Sequence, residues 1–439
     1  MSSPSPSPSA TGRPLVTRTV ELPPSALPTD LLDLLPAGAE PMAWLRRGDG
    51  LVAWGVAARC RTSGHDRFAD ASDWWREVAG AAAVTDEVEV PGTGLVALGS
   101  FGFADEPGDS LLVVPEVLVG RREGRAWVTV TGSGGTPALP DLAALARRER
   151  PAPPREVTFA DGAMSGAAWE SVVADAVGRI GEGDLEKVVL ARDLLATAAA
   201  PVDVRWPLHR LAGDYAMCWT FHVEGMFGAT PEMLVRRERG LVTSRVLAGT
   251  IRRTGDDARD AGLAGQLARS SKDLEEHEYA VRSVAESLSP YCSSTNVPEV
   301  PFVLHLPNVM HLATDVTGVV HDHHESAGAA GASVLDLAAA LHPSAAVGGT
   351  PTKVAVELIE EIEGMDRGRY AAPVGWMDAH GDGEFGIALR SAEVDPADPA
   401  TVRLFAGCGV VAGSDPAAEL AEAQAKFLPV RDALGPGPA

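Results

Sequence analysis

In the first third of the chain, short apolar runs are broken by glycine and proline. Runs at 42–45, 50–58, 95–103, 110–120 and 125–130 read as β-strands. Residues 70–83 switch to helical spacing and carry the pair Trp74-Trp75. Residues 137–154 read as a polar, arginine-rich, proline-bounded linker around one short helix. From about residue 156 the texture changes. Apolar side chains recur at helical spacing over 165–181, and a Gly-Glu-Gly-Asp turn leads into a strand over 186–192. Further helices are predicted over 257–270, 271–289, 330–341, 350–361 and 416–433, alternating with strands over 216–222, 230–236, 242–247, 375–377, 383–392 and 402–411. No segment repeats at a fixed period. The pattern predicts an α/β (α+β) protein with one large core. A Ser/Pro tail (1–13) is expected to be disordered, 14–155 forms a variable β-rich part of the fold, and 156–436 holds the chemistry.

Composition narrows the partners. The 439 residues are 45% hydrophobic and 22% charged, with a net charge of -23. Such a field disfavours nucleic acid and anionic membranes, since no excess cation is available to displace phosphate counterions. An anionic small substrate would need a local cationic pocket or a metal. The four cysteines are far apart with no CxxC pair, which argues against a disulfide framework or structural zinc. The N-terminus lacks the charged and apolar regions of a secretory signal, and no apolar run approaches the roughly 20 residues of a membrane helix. A cytoplasmic protein is expected.

Lysine use points to the chemistry. Of 37 cationic residues only four are lysine: Lys187, Lys272, Lys353 and Lys426. Arginine stays charged at any ordinary pH, whereas a buried lysine can be tuned to act as a base. Lys187 lies on the strand over 186–192, sharing one face with Val189 and Ala191; a solvated strand-end lysine is the alternative. Glu275, Glu276 and Glu278 flank His277, and Glu419 and Glu422 are three apart on another helix, hence on one face. Carboxylates from two such helices would suit a hard divalent ion; two solvated acidic faces would give the same spacing. His311, the paired glycines Gly407 and Gly409, and Arg390 after Gly-Asp-Gly-Glu are further candidates for holding an anion. His321, His323 and His324 read as a loop, not a metal site.

In order, the segments EKVVLARDL, GATPEMLV, RVLAGTIRRTGD, SSKDLEEHE, HLATDVTG, LHPSAAVGGTPTKVA, RGRYAAPVGWMDAHGDGEFGIALRSA and LFAGCGVVAGSDPAAELAEAQAK resemble the chorismate-utilising enzymes. The likeness spans roughly residues 160–435, and all four lysines fall within or beside these motifs. It implies two facing antiparallel sheets with helices outside, a deep cleft, and Mg²⁺-dependent chemistry on chorismate. Lys187 stands where amine-adding members have Gln, so the resemblance implies that it activates water for attack at C2. Glu232 matches the general acid that protonates the departing C4 hydroxyl. Glu276 and Glu422 match the Mg²⁺ ligands, with Glu419 and Glu275 as outer helpers. Gly249, Thr250, His311, Ala313, Arg390, Gly407, Gly409 and Lys426 match substrate-pocket positions; Lys272 and Lys353 receive no chemical role. In place of the PIKGT motif of aminodeoxychorismate synthases stands Val246-Leu247-Ala248-Gly249-Thr250, which lacks that lysine. Two departures are small: Glu422-Ala423 replaces Glu-Thr, and LHPSAAVGG replaces LHPTPAVGG. The resemblance therefore favours the isomerase (hydroxymutase) branch, isochorismate synthase, feeding menaquinone or catecholate siderophore synthesis. Salicylate synthase is the alternative, then anthranilate synthase component I, then a non-catalytic binding relative. A monomer is expected.

Overall fold

The computed structural model describes residues 13–435 except 136, 148–149, 307–308 and 322–330, and excludes the side chains of Lys272 and Glu276. The Ser/Pro tail up to residue 12, His323 and His324 therefore lie outside the described residues.

Among the described residues two sheets form, of thirteen and ten strands. The larger runs from Thr158–Asp161 through Lys187–Thr197, Thr401–Val411, Ser391–Val394, Met226–Thr230 and Trp219–Val223. It continues through Met42–Arg46, Asp49–Trp54, Val117–Arg122, Arg125–Ser133 and Leu15–Leu22 to Ala83–Asp86. The smaller runs from Cys292–Asn296 through Val309–Val320, Leu241–Arg252, Met233–Glu238, Gly383–Ile387 and Pro373–Asp378 to Val96–Ser100, Ser110–Val114 and Ala58–Thr62. These pairings are antiparallel except that between Leu15–Leu22 and Ala83–Asp86. Both sheets thus take strands from either side of residue 155.

The core lies between the sheets. Trp44 of the larger sheet packs there and donates its indole N–H to Glu384 of the smaller at 2.7 Å. On the outer face of the larger sheet, Ala43, Leu45 and Val52 meet Leu208 and Leu211 of the helix Arg205–Asp214 and Phe427 and Val430 of the helix Pro416–Ala433. Each such buried Leu, Val or Phe contributes about 1.5–3 kcal/mol relative to exposure.

Four runs predicted as single strands are each two strands in different sheets. The run 50–58 divides at Gly55, 110–120 at Pro115, 230–236 at Pro231-Glu232 and 383–392 at Leu389-Arg390. Apolar patterning does not show such crossings, because the chain stays buried while it changes sheet. Sequence reading also missed the helix Arg205–Asp214 and the strands Cys292–Asn296, Phe302–His305 and Val309–Val320. The motif HLATDVTG lies on the last of these, whose mixture of Thr, Asp and Gly hides a strand flanked on both edges.

Candidate active site

A cleft of about 470 Å³ opens between the two sheets near the helix Pro416–Ala433. Lys187, Val189 and Ala191 supply one wall, as their shared strand face predicts. The neighbouring strand pairs Val189 with Gly409 and Ala191 with Gly407. A side chain at Gly409 would meet Lys187 Cε at 2.8 Å, so glycine there makes room for the lysine. Two of the sheet crossings supply the next wall. Glu232 sits at one. Arg390 sits at the other, in the left-handed region with φ of 50°. Gly249 forms a bulge at φ 75°, a conformation that favours glycine. Thr250 beyond it shares a hydrogen bond with His311 Nδ1 at 2.9 Å.

The helix Pro416–Ala433 brings Glu419, Glu422 and Lys426 to the cleft from spacings of three and four. Lys426 Nζ donates to Gly407 O at 2.9 Å and pairs with Glu422 at 2.7 Å. Ser414 donates to Glu419 at 2.7 Å. Eleven of the expected site residues thus line one cavity: Lys187, Glu232, Gly249, Thr250, His311, Arg390, Gly407, Gly409, Glu419, Glu422 and Lys426.

Three expectations fare differently. The side chain of Glu276 lies outside the described residues. Ala313 is fully buried and does not line the cleft; its ladder partner Leu247 reaches the cavity instead. Glu275 lines a smaller neighbouring cavity beside Tyr279, whereas Asp273, which sequence reading passed over, lines the cleft. The signal for Asp273 was its spacing of three before Glu276 on a helix. Tyr370 was also missed; it lies in RGRYAAPVGW, lines the cleft and stacks on Phe405 with ring centroids 5.1 Å apart. Lys353 is exposed and does not line the cleft.

The electrostatics divide the groups by task. Burial pushes the Glu232 carboxyl up to about 7, although Lys187, Arg390 and Lys426 pull it down. It can therefore hold a proton near neutral pH. Burial, with Arg390 and Lys426, lowers His311 to about 3, so its ring stays neutral. Burial raises the Tyr370 phenol to about 12 and keeps it a donor. Burial also pushes Glu422 up, but Lys426, Arg390 and Lys187 outweigh it, and the net direction is down. The Arg390 carbonyl accepts from the Ala229 N–H at 3.2 Å, while its guanidinium makes no side-chain hydrogen bond or ion pair among the described residues, which leaves its fork available to an anion.

The carboxylates of Asp273, Glu419 and Glu422 give the cleft an oxygen-only donor set, which fits a hard divalent ion such as Mg²⁺. Away from the cleft, Asp30, Asp33 and His209 also stand close enough to share an ion, but Arg150 already pairs with both aspartates.

Two facing sheets around a cleft that sets lysine and arginine beside carboxylates, one of them protonatable, define an α/β enzyme for a small molecule. The family described as chorismate binding enzyme matches residues 15–435, and the chain belongs to it. The chain is 37% identical over 271 residues to isochorismate synthase MenF of Bacillus subtilis, covering 61% of this chain and 55% of that one. It is 34% identical over 415 residues to the salicylate biosynthesis isochorismate synthase of Pseudomonas aeruginosa, covering 89% and 84%. The structure of MenF, the menaquinone-specific isochorismate synthase of Escherichia coli, shares the fold with a TM-score of 0.78 at 24% identity, over 96% of this chain and 95% of that one. Among the described residues no helix is long and apolar enough to cross a membrane.

Proposed function

We propose that this chain is an isochorismate synthase, an isomerase that exchanges the C4 hydroxyl of chorismate for a hydroxyl at C2. The observation that carries this reading is the pairing of Lys187, seated against Gly409, with the proton-holding Glu232 in one cleft. Lys187 takes a proton from water as its oxygen bonds to C2. The ring double bonds shift, the C4–O bond breaks, and Glu232 gives its proton to the leaving hydroxide, which departs as water. One water enters and one leaves, so the net change is isomerisation.

Arg390, Lys426, Tyr370 and the neutral His311 supply the donors for the substrate's carboxylates and oxygens. Glu422, Glu276, Glu419 and Asp273 are the residues that would hold Mg²⁺, which when bound neutralises a substrate carboxylate beside these acids. The test is purified protein with chorismate and Mg²⁺, without ammonia, and chromatography of the products. A mixture of chorismate and isochorismate is expected. Salicylate with pyruvate would make it a salicylate synthase, and anthranilate formed only with ammonia would overturn the role of Lys187.

A further inference from the structure

The strand Lys187–Thr197 is paired along one edge by Thr401–Val411 over its whole length. Its other edge is paired only at the ends: by Gly349–Thr350 at Lys187 and Val188, and by Thr158–Asp161 at Leu194 to Thr197. The Val189 N–H donates to Gly348 O at 2.8 Å and Ala191 O accepts from the Trp169 indole at 3.0 Å, while Val189 O and the Ala191 N–H face a gap where a strand would lie. Buried unmade backbone bonds are costly. Side chains fill the gap. The Ala191 N–H donates to Glu363 Oε2 at 2.8 Å, and Val189 O accepts from Arg367 Nη2 at 2.7 Å.

Glu363 and Arg367 also clasp each other through two bonds, at 2.7 and 2.6 Å, and are only 1% and 3% exposed. Arg367 further donates to Val347 O at 2.9 Å, in the loop that forms part of the cleft wall, and lies over the Phe103 ring at 4.3 Å. Three residues on, Tyr370 enters the cleft. The pair thus joins the strand of Lys187 to two other walls.

We propose that Glu363 and Arg367 are positioning residues that stand in for a missing strand and fix where Lys187 sits in the cleft. A planar fork reaching a carboxylate and two carbonyls at once is needed, so charge alone does not suffice. Arg367→Lys keeps the charge opposite Glu363 and loses the fork. For turnover, the inference rests on the isochorismate synthase reading.

The experiment compares wild type and Arg367→Lys by chorismate turnover and by hydrogen exchange of the 187–193 segment. Exchange about tenfold faster is expected there. Turnover should fall about 10- to 100-fold with KM within about threefold, because a base displaced by a fraction of an ångström costs rate rather than binding. Turnover within about twofold of wild type overturns the inference, as does a change confined to KM. If the wild type makes no isochorismate, the functional reading fails by itself, and exchange decides: faster supports the positioning role, unchanged overturns it. Should Arg367→Lys not fold, Glu363→Gln, which keeps an oxygen for the Ala191 amide but weakens the fork, is read the same way.

Discussion

At the scale of single residues, the proposed reaction depends on Lys187 and on one carboxyl, Glu232, whose proton state differs from that of an exposed counterpart. Glu232 is a buried carboxyl titrating at about 7, against 4.5 when exposed. If it is the acid, kcat/KM falls on the alkaline side with half-loss near pH 7, and Glu232→Gln lowers turnover by about 10²–10⁴-fold. The same shift affects stability. A carboxyl whose folded value is raised stabilises fully below its unfolded value and loses that contribution as pH rises through the folded one. Glu232→Gln should therefore gain about 1–3 kcal/mol over wild type at pH 8 and nothing at pH 4, read by denaturant titration at both. An equal effect at both pH values would contradict the assigned burial of the charge. Lys187→Ala should lose turnover by a similar factor while binding chorismate, and Lys187→Gln, which copies the amine-adding members, is the variant in which to look for ammonia-dependent product. Part of this site was legible in the chain: a sequence that writes 33 of its cations as arginine marks its four lysines, and the structure brings two of them, Lys187 and Lys426, to the cleft.

At the scale of elements, the cleft depends on close approaches between strands and on carboxylates spaced along helices. A methyl group at position 409 would lie 2.8 Å from Lys187 Cε. Gly409→Ala is therefore expected to displace the lysine and cost about 100-fold in kcat with the thermal transition little changed. A normal kcat in that variant would mean that Lys187 does not work from this position. On the helix Pro416–Ala433, Glu422 is held ionised by Lys426 beside it. Glu422→Ala should raise the Mg²⁺ concentration needed for half-maximal activity without unfolding the protein; an unchanged requirement would remove it from the metal set. Helical spacing showed Glu419, Glu422 and Lys426 on one face, so this side of the site could be read from sequence. Asp273 was missed because a run of acids around His277 offers several pairings, and only packing decides which face turns inward.

At the scale of the whole molecule, the sheets join parts that sequence texture separates. The strand Met42–Arg46 pairs with Trp219–Val223, and Val96–Ser100 with Pro373–Asp378, so neither half completes a sheet alone. One cooperative unfolding transition is expected by calorimetry for the full chain. Two separated transitions would show independent halves. The crossings at Pro231-Glu232 and Leu389-Arg390 were invisible to hydrophobic patterning, yet they carry Glu232 and Arg390 to the cleft; motif resemblance pointed to those residues while periodicity misplaced their elements. The central claim, addition of water from one wall as hydroxide leaves toward Glu232, is tested most directly by running the reaction in oxygen-18 water. The account predicts one labelled oxygen in each new isochorismate, in the C2 hydroxyl, and no labelled product from Lys187→Ala. Isochorismate with an unlabelled C2 hydroxyl would contradict it, because the oxygen would then have moved within the substrate.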